Sequence, residues 1–244
     1  MITLAVFDMA GTTIDDGGAV YDALRIAVEE TGVPVSPADL QTWMGAEKRA
    51  AITALIELGG GDPAQPADRV DVAFDRFRAL LDELYTAHPP TPIDGVPEAI
   101  AALRASGVRV ALTTGFSQDV AHGILDRLGW VVGGDSADGG AAENGPESAA
   151  SLHVDAVVCG DEVAAGRPAP YMIHRAMERT GTLAVSEVLV AGDTAVDVQA
   201  GANAGAAATI GVLTGKLDRE AFDGQPFTEL LDSVADIPAY LARR

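Results

Sequence analysis

Basic residues, cysteine and long apolar runs are all scarce in this 244-residue chain. Only 16 lysines and arginines stand against 36 aspartates and glutamates, which gives a formal net charge of −20. This balance argues against nucleic acids and anionic membrane surfaces as partners, because both recruit proteins through clusters of basic side chains. The single cysteine, Cys159, excludes a disulfide within the chain and is typical of a protein from a reducing compartment.

The sequence also lacks the runs that direct a chain into or across a membrane. It contains no stretch of about 18 consecutive apolar residues, and the apolar run at residues 2–7 is too short for a signal peptide. We therefore expect a cytoplasmic protein. Hydrophobic residues make up 48% of the chain and charged residues 21%, a composition typical of a folded protein with a sizeable core.

A buried parallel β-strand is the best interpretation of the first residues. Residues 2–7 form a β-prone run that is apolar except for Thr3, Asp8 follows them, and a small-residue turn with Gly11 comes next. Strands covered on both faces have this pattern, and open α/β sheets bind ligands at the carboxyl ends of their strands. Asp8 is thereby placed to take part in chemistry, although an aspartate at this point also fits a simple turn.

Two kinds of pattern divide the rest of the chain. From residue 19 to about residue 90, apolar residues recur at helical spacing with no strand-like run, which predicts a helical bundle inserted into another domain. Beyond residue 91, apolar strands alternate with helices, which predicts a Rossmann-like, doubly wound parallel sheet of the α/β class. The predicted domains are an α/β core of residues 1–17 and 91–244 and a helical unit of residues 18–90.

Three further expectations concern individual segments. Residues 131–152 are rich in glycine, alanine, serine and acidic residues, which predicts a surface loop. Residues from about 217 onward are expected to be helical or irregular. Phe74, Phe77 and Tyr85 on the longest predicted helix offer a face for a possible homodimer.

Polar side chains at three strand ends, and one cation, are the candidate site. Asp8, Thr114 and Asp193 each end an apolar run, and Arg167 precedes a predicted helix. Because the carboxyl ends of parallel strands share one edge of a sheet, we expect these side chains to meet. Asp8, Asp193 and the nearby Asp197 supply the oxygen ligands that Mg²⁺ prefers. The Thr114 hydroxyl and the Arg167 guanidinium would hold the oxygens of a phosphoryl group, with an aspartate as the attacking nucleophile.

Four ordered motifs resemble those of the haloacid dehalogenase superfamily. They are DxxGTT at residues 8–13, the strand that ends at Thr114, RPxP at residues 167–170 and GDTxxD at residues 192–197. The resemblance implies that residues 18–90 form an inserted cap and that Mg²⁺ is the cofactor. The roles that it implies are nucleophile for Asp8, phosphoryl binding for Thr114 and Arg167, and metal binding for Asp8, Ala10, Asp193 and Asp197.

Ala10 stands where phosphatases of this superfamily carry a second aspartate, which protonates the leaving group. Without such an acid, an alkoxide would leave more slowly by a factor of roughly 10²–10⁴. The DxAGTT pattern instead resembles the phosphonatases, which cleave a carbon–phosphorus bond. Their MGxxK segment resembles residues 44–48 and makes Lys48 the residue that forms an imine with the substrate. The substrate-binding residues implied by this resemblance are Gly11, Thr12, Met44, Gly45, Gly115 and Phe116.

The match to the phosphonatases is incomplete at Ala51, Phe116 and Gly18, where those enzymes carry a histidine, an aromatic hydroxyl and a cysteine. Proton transfer would then depend on water, the substrate, Glu47 or His88. Three functions stay open: cleavage of a small anionic phosphonate, hydrolysis of a small phosphate monoester, and metal or phosphate binding without catalysis. Residues 15–18 and 89–92 are the expected hinges for cap closure.

Overall fold

A parallel six-stranded sheet forms the centre of the molecule. The computed structural model describes residues 1–133 and 151–243. The strands found there are β1 (Leu4–Asp8), β2 (Ile14–Asp15), β3 (Thr91–Pro92), β4 (Arg109–Thr114), β5 (Val131–Val132), β6 (His153–Val154), β7 (Ala156–Cys159), β8 (Val188–Gly192), β9 (Ala208–Val212) and β10 (Glu229–Leu231). The central sheet has the order β10-β9-β8-β1-β4-β7, and every pairing in it is parallel. The predicted α/β class is confirmed.

Helices cover both faces of this sheet. The helices of the described residues are α1 (Ala19–Glu29), α2 (Pro37–Thr42), α3 (Lys48–Leu58), α4 (Arg69–Ala87), α5 (Val96–Ala105), α6 (Gln118–Leu128), α7 (Tyr171–Thr180), α8 (Ala195–Ala204) and α9 (Ile237–Ala242). Alternate residues of β1 point to opposite faces of the sheet. Leu4 and Val6 pack in the apolar cluster that contains α7 and α8, whereas Ala5 and Phe7 pack in the cluster that contains α5, α6 and α9.

The helices α1–α4 form an insert between β2 and β3. Ser36 caps the start of α2 by accepting a hydrogen bond from the Asp39 amide, and a proline occupies the first helical position. Phe74, Phe77 and Tyr85 of α4 are buried within the insert and belong to its apolar core. These aromatic side chains therefore do not provide an exposed face for a homodimer, and the homodimer itself stays a prediction.

The two chain segments that connect the insert to the sheet pair with each other. Ile14 of β2 lies opposite Pro92 of β3, and Asp15 lies opposite Thr91, in an antiparallel ribbon. The ribbon forms because both segments run between the same two units. Sequence patterns do not reveal it, because each strand is only two residues long.

Two segment predictions need correction. Residues beyond 217 are not wholly helical or irregular, because β10 adds a sixth strand at the edge of the sheet beside β9. Its short and partly exposed sequence carries no strand pattern, which is typical of an edge strand. The first two residues of the predicted loop at 131–152 form β5, which pairs in parallel with β6 directly after the loop, and residues 134–150 lie outside the described residues. None of the described helices has the length and apolarity needed to cross a membrane.

Candidate active site

The carboxyl ends of β1, β4 and β8 bring the predicted catalytic side chains to one edge of the sheet. Asp8 pairs in register with Thr113, and Thr114 is the last residue of β4. Asp193 follows β8 directly, on the other side of β1. Strand order thus places two carboxylates and two hydroxyls at the point where an open α/β sheet binds its ligands.

The turn after β1 contacts both Asp8 and Asp193. Thr13 Oγ1 donates a hydrogen bond to the Asp8 carbonyl oxygen at 2.9 Å, and Thr12 Oγ1 donates to Asp193 Oδ1 at 2.8 Å. Gly11 has a φ of 87°, and a Cβ at this position would lie 2.5 Å from Asp193 Oδ2. Because a side chain has neither the torsion nor the space that it needs here, glycine is required for this turn.

Arg167 joins the acidic side chains to the insert. Its Nη1 lies 2.7 Å from Asp8 Oδ1, and its Nε lies 2.9 Å from Asp197 Oδ1. Nη2 donates to Thr113 Oγ1 at 2.9 Å, and Nη1 also donates to the Gly45 carbonyl oxygen at 3.3 Å. The Arg167 side chain is only 4% exposed, and its guanidinium neutralises part of the acidic cluster and contacts the insert at the same time.

Asp8, Asp193 and Asp197 form a buried acidic cluster in which carboxylate oxygens lie within 4.8 Å of one another. Burial raises the pKa of Asp8 to about 6, although Arg167 acts in the opposite direction. Burial and the charge of Asp8 raise the pKa of Asp193 well above its usual value. A divalent cation would relieve this repulsion, and the carboxylates of Asp8 and Asp193 with the Ala10 carbonyl are hard oxygen donors of the kind that suit Mg²⁺.

Asp197 has both carboxylate oxygens engaged within the protein. Oδ1 pairs with Arg167, and Oδ2 accepts hydrogen bonds from the Thr194 amide at 3.0 Å and from the Thr194 hydroxyl. The residue therefore holds Arg167 and the start of α8 in place, which fits a supporting role rather than a direct bond to a metal.

Lys48 is the first residue of α3, and its side chain is only 4% exposed. Its Nζ donates to the Ala46 carbonyl oxygen at 3.0 Å and lies 5.6 Å from the centre of the Phe116 ring. Burial lowers the pKa of Lys48 to about 8, with the charge of Asp8 acting in the opposite direction. A lysine with this pKa has a substantial fraction of neutral, nucleophilic amine in mildly alkaline solution.

A cavity of about 100 Å³ lies between the insert and this edge of the sheet. It brings together the side chains of both units, since Lys48 enters from the insert and Asp8 from the sheet. Thr12 and Asp197 do not line the cavity, but Thr12 hydrogen-bonds to Asp193 and Asp197 pairs with Arg167, both of which do. The predicted site residues that line it are Asp8, Ala10, Gly11, Met44, Gly45, Lys48, Thr114, Gly115, Phe116, Arg167 and Asp193.

The insert approaches the sheet edge most closely through two glycines. A Cβ on Gly45, which has a φ of 78°, would lie 2.8 Å from Thr194 Oγ1. A Cβ on Gly115 would lie 2.4 Å from the Ala46 carbonyl oxygen. The segment that leads into Lys48 therefore rests on the core at distances that only glycine permits.

None of the alternative proton carriers considered for the Ala51 position lies in the cavity wall. Ala51 itself is fully buried in the apolar core. Glu47 caps α3, because its carboxylate accepts hydrogen bonds from the Arg49 amide at 2.9 Å and the Ala50 amide at 2.8 Å. His88 is exposed at the end of the insert and does not line the cavity.

The sequence motifs missed several residues of the cavity wall. Residues 214–216 follow β9 in the way that Asp193 follows β8, so the strand-end rule could have found them. Tyr21 lies on α1 outside any motif and gave no signal. Thr194 lies within GDTxxD but was not predicted as a site residue. The lining residues outside the motifs are Asp15, Asp16, Gly18, Val20, Tyr21, Thr214, Gly215 and Lys216.

Comparison with known proteins identifies the family. The family model of the haloacid dehalogenase-like hydrolases matches residues 2–205. The chain belongs to this family. The superfamily resemblance of the four motifs is thereby confirmed, and the α/β sheet with Asp8 at its edge is the core of a haloacid dehalogenase-like hydrolase.

Individual relatives of this haloacid dehalogenase-like hydrolase extend over almost its whole length. A phosphonoacetaldehyde hydrolase of Parabacteroides distasonis is 26% identical, over 99% of this chain and 96% of its own. A hydrolase from Pseudomonas syringae has a TM-score of 0.80 at 18% identity, covering 99% of this chain and 98% of its own. A phosphonoacetaldehyde hydrolase-like protein from Oleispira antarctica has a TM-score of 0.76 at 20% identity, with coverage of 99% and 92%. The two solved structures establish the shared fold alone.

Proposed function

We propose that this hydrolase cleaves the carbon–phosphorus bond of phosphonoacetaldehyde or a related small phosphonate, with Mg²⁺ as cofactor. The observation that carries the proposal is Lys48, a buried amine that lines the same cavity as Asp8 and Arg167. Cleavage of a C–P bond next to a carbonyl requires such an amine, whereas hydrolysis of a phosphate ester does not. The relative named phosphonoacetaldehyde hydrolase supports the same class of substrate.

In this proposal residues 18–90 act as a cap over a core of residues 1–17 and 91–244. Lys48 belongs to the cap and Asp8 to the core, so the reaction needs both units in contact. The close approaches at Gly45 and Gly115 support a closed arrangement that keeps bulk water from the reacting atoms.

The first chemical role belongs to Lys48. Its neutral Nζ adds to the aldehyde carbon, and the oxygen then takes up a proton from solvent and leaves as water, which gives a protonated imine between Nζ and that carbon. Direct loss of the phosphoryl group from the free aldehyde would leave an enolate, because a neutral carbonyl is a weaker electron sink than a protonated imine. The imine instead accepts the electron pair of the breaking C–P bond and becomes an enamine.

Asp8 receives the phosphoryl group. One of its carboxylate oxygens bonds to phosphorus as the C–P bond breaks, which gives an aspartyl phosphate. The enamine takes up a proton on carbon, and water hydrolyses the resulting imine to acetaldehyde and free Lys48. A second water cleaves the aspartyl phosphate and releases inorganic phosphate. Asp8, Asp193 and the Ala10 carbonyl would hold Mg²⁺, and the bound ion would supply positive charge that reduces the repulsion between Asp8 and the phosphoryl oxygens.

The chemistry of the leaving group accounts for an alanine, rather than an acidic residue, at position 10. Because the electron pair flows into an imine, no oxygen has to be protonated as the bond breaks, and a second aspartate has no task. We assign Thr114 and Arg167 to the phosphoryl oxygens, and Thr12 to holding Asp193 through its hydroxyl. The residues that enclose the rest of the substrate in this proposal are Gly11, Met44, Gly45, Gly115 and Phe116.

Borohydride reduction in the presence of phosphonoacetaldehyde and Mg²⁺ tests the imine. We expect a stable secondary amine on Lys48, identified by peptide mass spectrometry, together with loss of activity. The Asp8→Asn variant is the matched control: it keeps the amine and loses the nucleophile, so it should form the adduct without releasing phosphate. An unmodified Lys48 under turnover conditions would exclude the C–P mechanism.

Hydrolysis of a small phosphate monoester is the second candidate. It is favoured by Ala51 and Phe116, which leave the cavity without the proton-handling groups of the phosphonatases, while Asp8 and Arg167 need no lysine. For this function, Lys48→Ala would still turn over p-nitrophenyl phosphate, whose leaving group needs no acid, and Asp8→Ala would not. Absence of turnover on both phosphonates and phosphates would instead indicate a metal- or phosphate-binding protein.

A further inference from the structure

Both lysines of this chain line the same cavity. Only two of its 16 basic residues are lysines, and these are Lys48 and Lys216. Lys48 has a task in the proposed reaction, and Arg167 already neutralises the acidic cluster. Lys216 is a further cation at the cavity, and neither the four motifs nor the proposed mechanism uses it.

Lys216 extends from the core toward residues 15–18, the connector that leads from the core into the cap. Thr214 Oγ1 donates to the Gly11 carbonyl oxygen at 2.6 Å, which ties the loop after β9 to the turn after β1. A Cβ on Gly215 would lie 1.9 Å from Asp193 Oδ2, so the backbone of this loop lies against the acidic cluster. From there the Cε and Nζ of Lys216 each extend to 3.7 Å from where a Cβ on Gly18 would be.

The Lys216 ammonium forms no ion pair within residues 1–133 and 151–243. Lys216 is exposed, and the two acidic side chains of the nearby connector accept hydrogen bonds from backbone amides instead. Asp15 accepts a hydrogen bond from the Gly17 amide, and Asp16 accepts from the amides at positions 18 and 20. An exposed, unpaired ammonium at the cavity of a protein with a net charge of −20 is available to an anionic ligand.

We infer that Lys216 binds a carboxylate at the end of the substrate away from phosphorus, which makes it a specificity-determining residue. The inference deepens the proposed function and rests on it: the phosphoryl group lies at Asp8 and the carbonyl at Lys48, and a second anionic group is left for Lys216. The substrate class is then a small phosphonate that carries both a carbonyl and a carboxylate, such as a 3-phosphono-2-oxo acid.

A 3-phosphono-2-oxo acid would react through the same steps as phosphonoacetaldehyde. Its ketone condenses with Lys48 and releases water, and the C–P electron pair moves into the imine as phosphorus bonds to Asp8. Protonation of the enamine carbon, followed by hydrolysis of the imine and of the aspartyl phosphate, gives a 2-oxo acid and inorganic phosphate. One water is consumed overall, and no oxidant or reductant is needed.

Two inert ligands of the same length test the carboxylate site without any turnover. 3-Phosphonopropionate and propylphosphonate differ in a terminal carboxylate, and neither has a carbonyl that could react with Lys48. The acidic protein as a whole repels the extra negative charge, so a preference for it requires a local cation. Calorimetry at fixed free Mg²⁺ should give about fivefold tighter binding of 3-phosphonopropionate, the gain expected of one partly solvated ion pair.

The variant Lys216→Met should lose this preference and bind propylphosphonate as before. Arg219→Met is the matched control, because it removes an exposed positive charge three residues further on, outside the cavity wall, and should keep the preference. Equal preference in the wild type and Lys216→Met, no preference in the wild type, or a loss caused only by Lys48→Met would overturn the inference. Binding and borohydride trapping are separate measurements, so a failed imine with an intact carboxylate preference would discard the C–P mechanism alone.

Discussion

Lys48 lies in surroundings that penalise its charge. Burial removes water from the ammonium group, and the nearby charge of Asp8 compensates only in part, so its pKa falls from 10.5 to about 8. A folded chain gains no stability from such a residue. A buried lysine with a lowered pKa is typical of a functional group, for which reactivity matters more than the free energy of folding.

The substitution Lys48→Met should therefore stabilise the protein at neutral pH. Between about pH 8 and 10.5 the unfolded chain holds a proton on Lys48 that the folded chain does not, so wild-type stability rises with pH through this window. Below pH 8 the full penalty applies, on the order of 3 kcal/mol. Urea unfolding should give a larger free energy of unfolding for the variant than for the wild type, and this difference should be greater at pH 7 than at pH 10.

The exposed Lys216→Met variant is the control for that measurement, since it removes a lysine without removing a buried charge. A stability difference between Lys48→Met and the wild type that does not change with pH would contradict the argument. The result would then reflect packing of the methionine rather than relief of a buried charge.

Single residues were predictable where their neighbours in sequence define their role. Asp8, Asp193 and Lys48 were singled out because each lies in a short local pattern, and all three line the cavity. Glu47 looked like a proton carrier beside Lys48, yet its carboxylate caps α3. Lys216 went unnoticed because its importance depends on its position beside Gly18, which is distant in the chain.

At the scale of elements, the contact between the end of β4 and the segment before α3 controls the position of Lys48. Gly115 follows β4, and its backbone lies against the Ala46 carbonyl. Because a Cβ at Gly115 would lie 2.4 Å from that oxygen, a larger residue must push the insert away from the sheet edge. Lys48, which hydrogen-bonds to the same carbonyl, would move with it.

We expect Gly115→Ala to lower kcat/KM about 100-fold, the loss typical of reacting groups displaced by about 1 Å. Circular dichroism should show an unchanged fold, because the added methyl group affects one contact. Gly123→Ala is the matched control: this glycine lies within α6 with open space around it, and alanine is the better helix former. Equal activity of the two variants would show that the Gly115 contact does not position Lys48.

The major elements were predictable because their apolar patterns are long enough to be distinctive. Strands β1, β4 and β8 end where their apolar patterns predict, and α1–α4 lie within the region predicted to be helical. The β2–β3 ribbon and the edge strand β10 were missed, since each is two or three residues long and gains its hydrogen bonds from a distant partner. Pairing of this kind leaves little trace in local sequence.

At the scale of the whole molecule, ion pairs between α4 and α6 join the insert to the core. Arg78 of α4 pairs with Asp119 of α6. Arg127 of α6 pairs with Asp82 of α4 at 2.8 Å and also donates to the Tyr85 carbonyl oxygen. All four charged side chains are partly exposed, so each pair contributes little alone and is weakened by salt.

The double variant Asp82→Asn/Asp119→Asn should favour separation of the insert from the core. We expect amide hydrogen exchange at residues 44–48 to accelerate about fivefold at low ionic strength, with a smaller effect in concentrated salt. Glu29→Gln is the control, because it breaks an ion pair with Arg25 inside α1 and leaves the interface intact. If both variants change exchange at residues 44–48 equally, the ion pairs between α4 and α6 do not hold the insert closed.

The order of helical and alternating patterns predicted a block of helices between the first strand and the later strands, and α1–α4 occupy that part of the chain. The way in which the two units meet was not, because it depends on close approaches such as that of Gly45 to Thr194. The strand ends indicated the position of the candidate site. The other side chains that line the cavity come from segments far apart in the chain. Only folded geometry brings such segments together.

The placement of both lysines has a practical consequence for anyone who handles this protein. Reagents that acylate primary amines, including those used for surface immobilisation, fluorescent labelling and cross-linking, find their only side-chain targets at the cavity. Lys216 is accessible to them, and Lys48 is shielded. Coupling through lysine therefore modifies the substrate pocket, and attachment through another functional group is needed to leave it free.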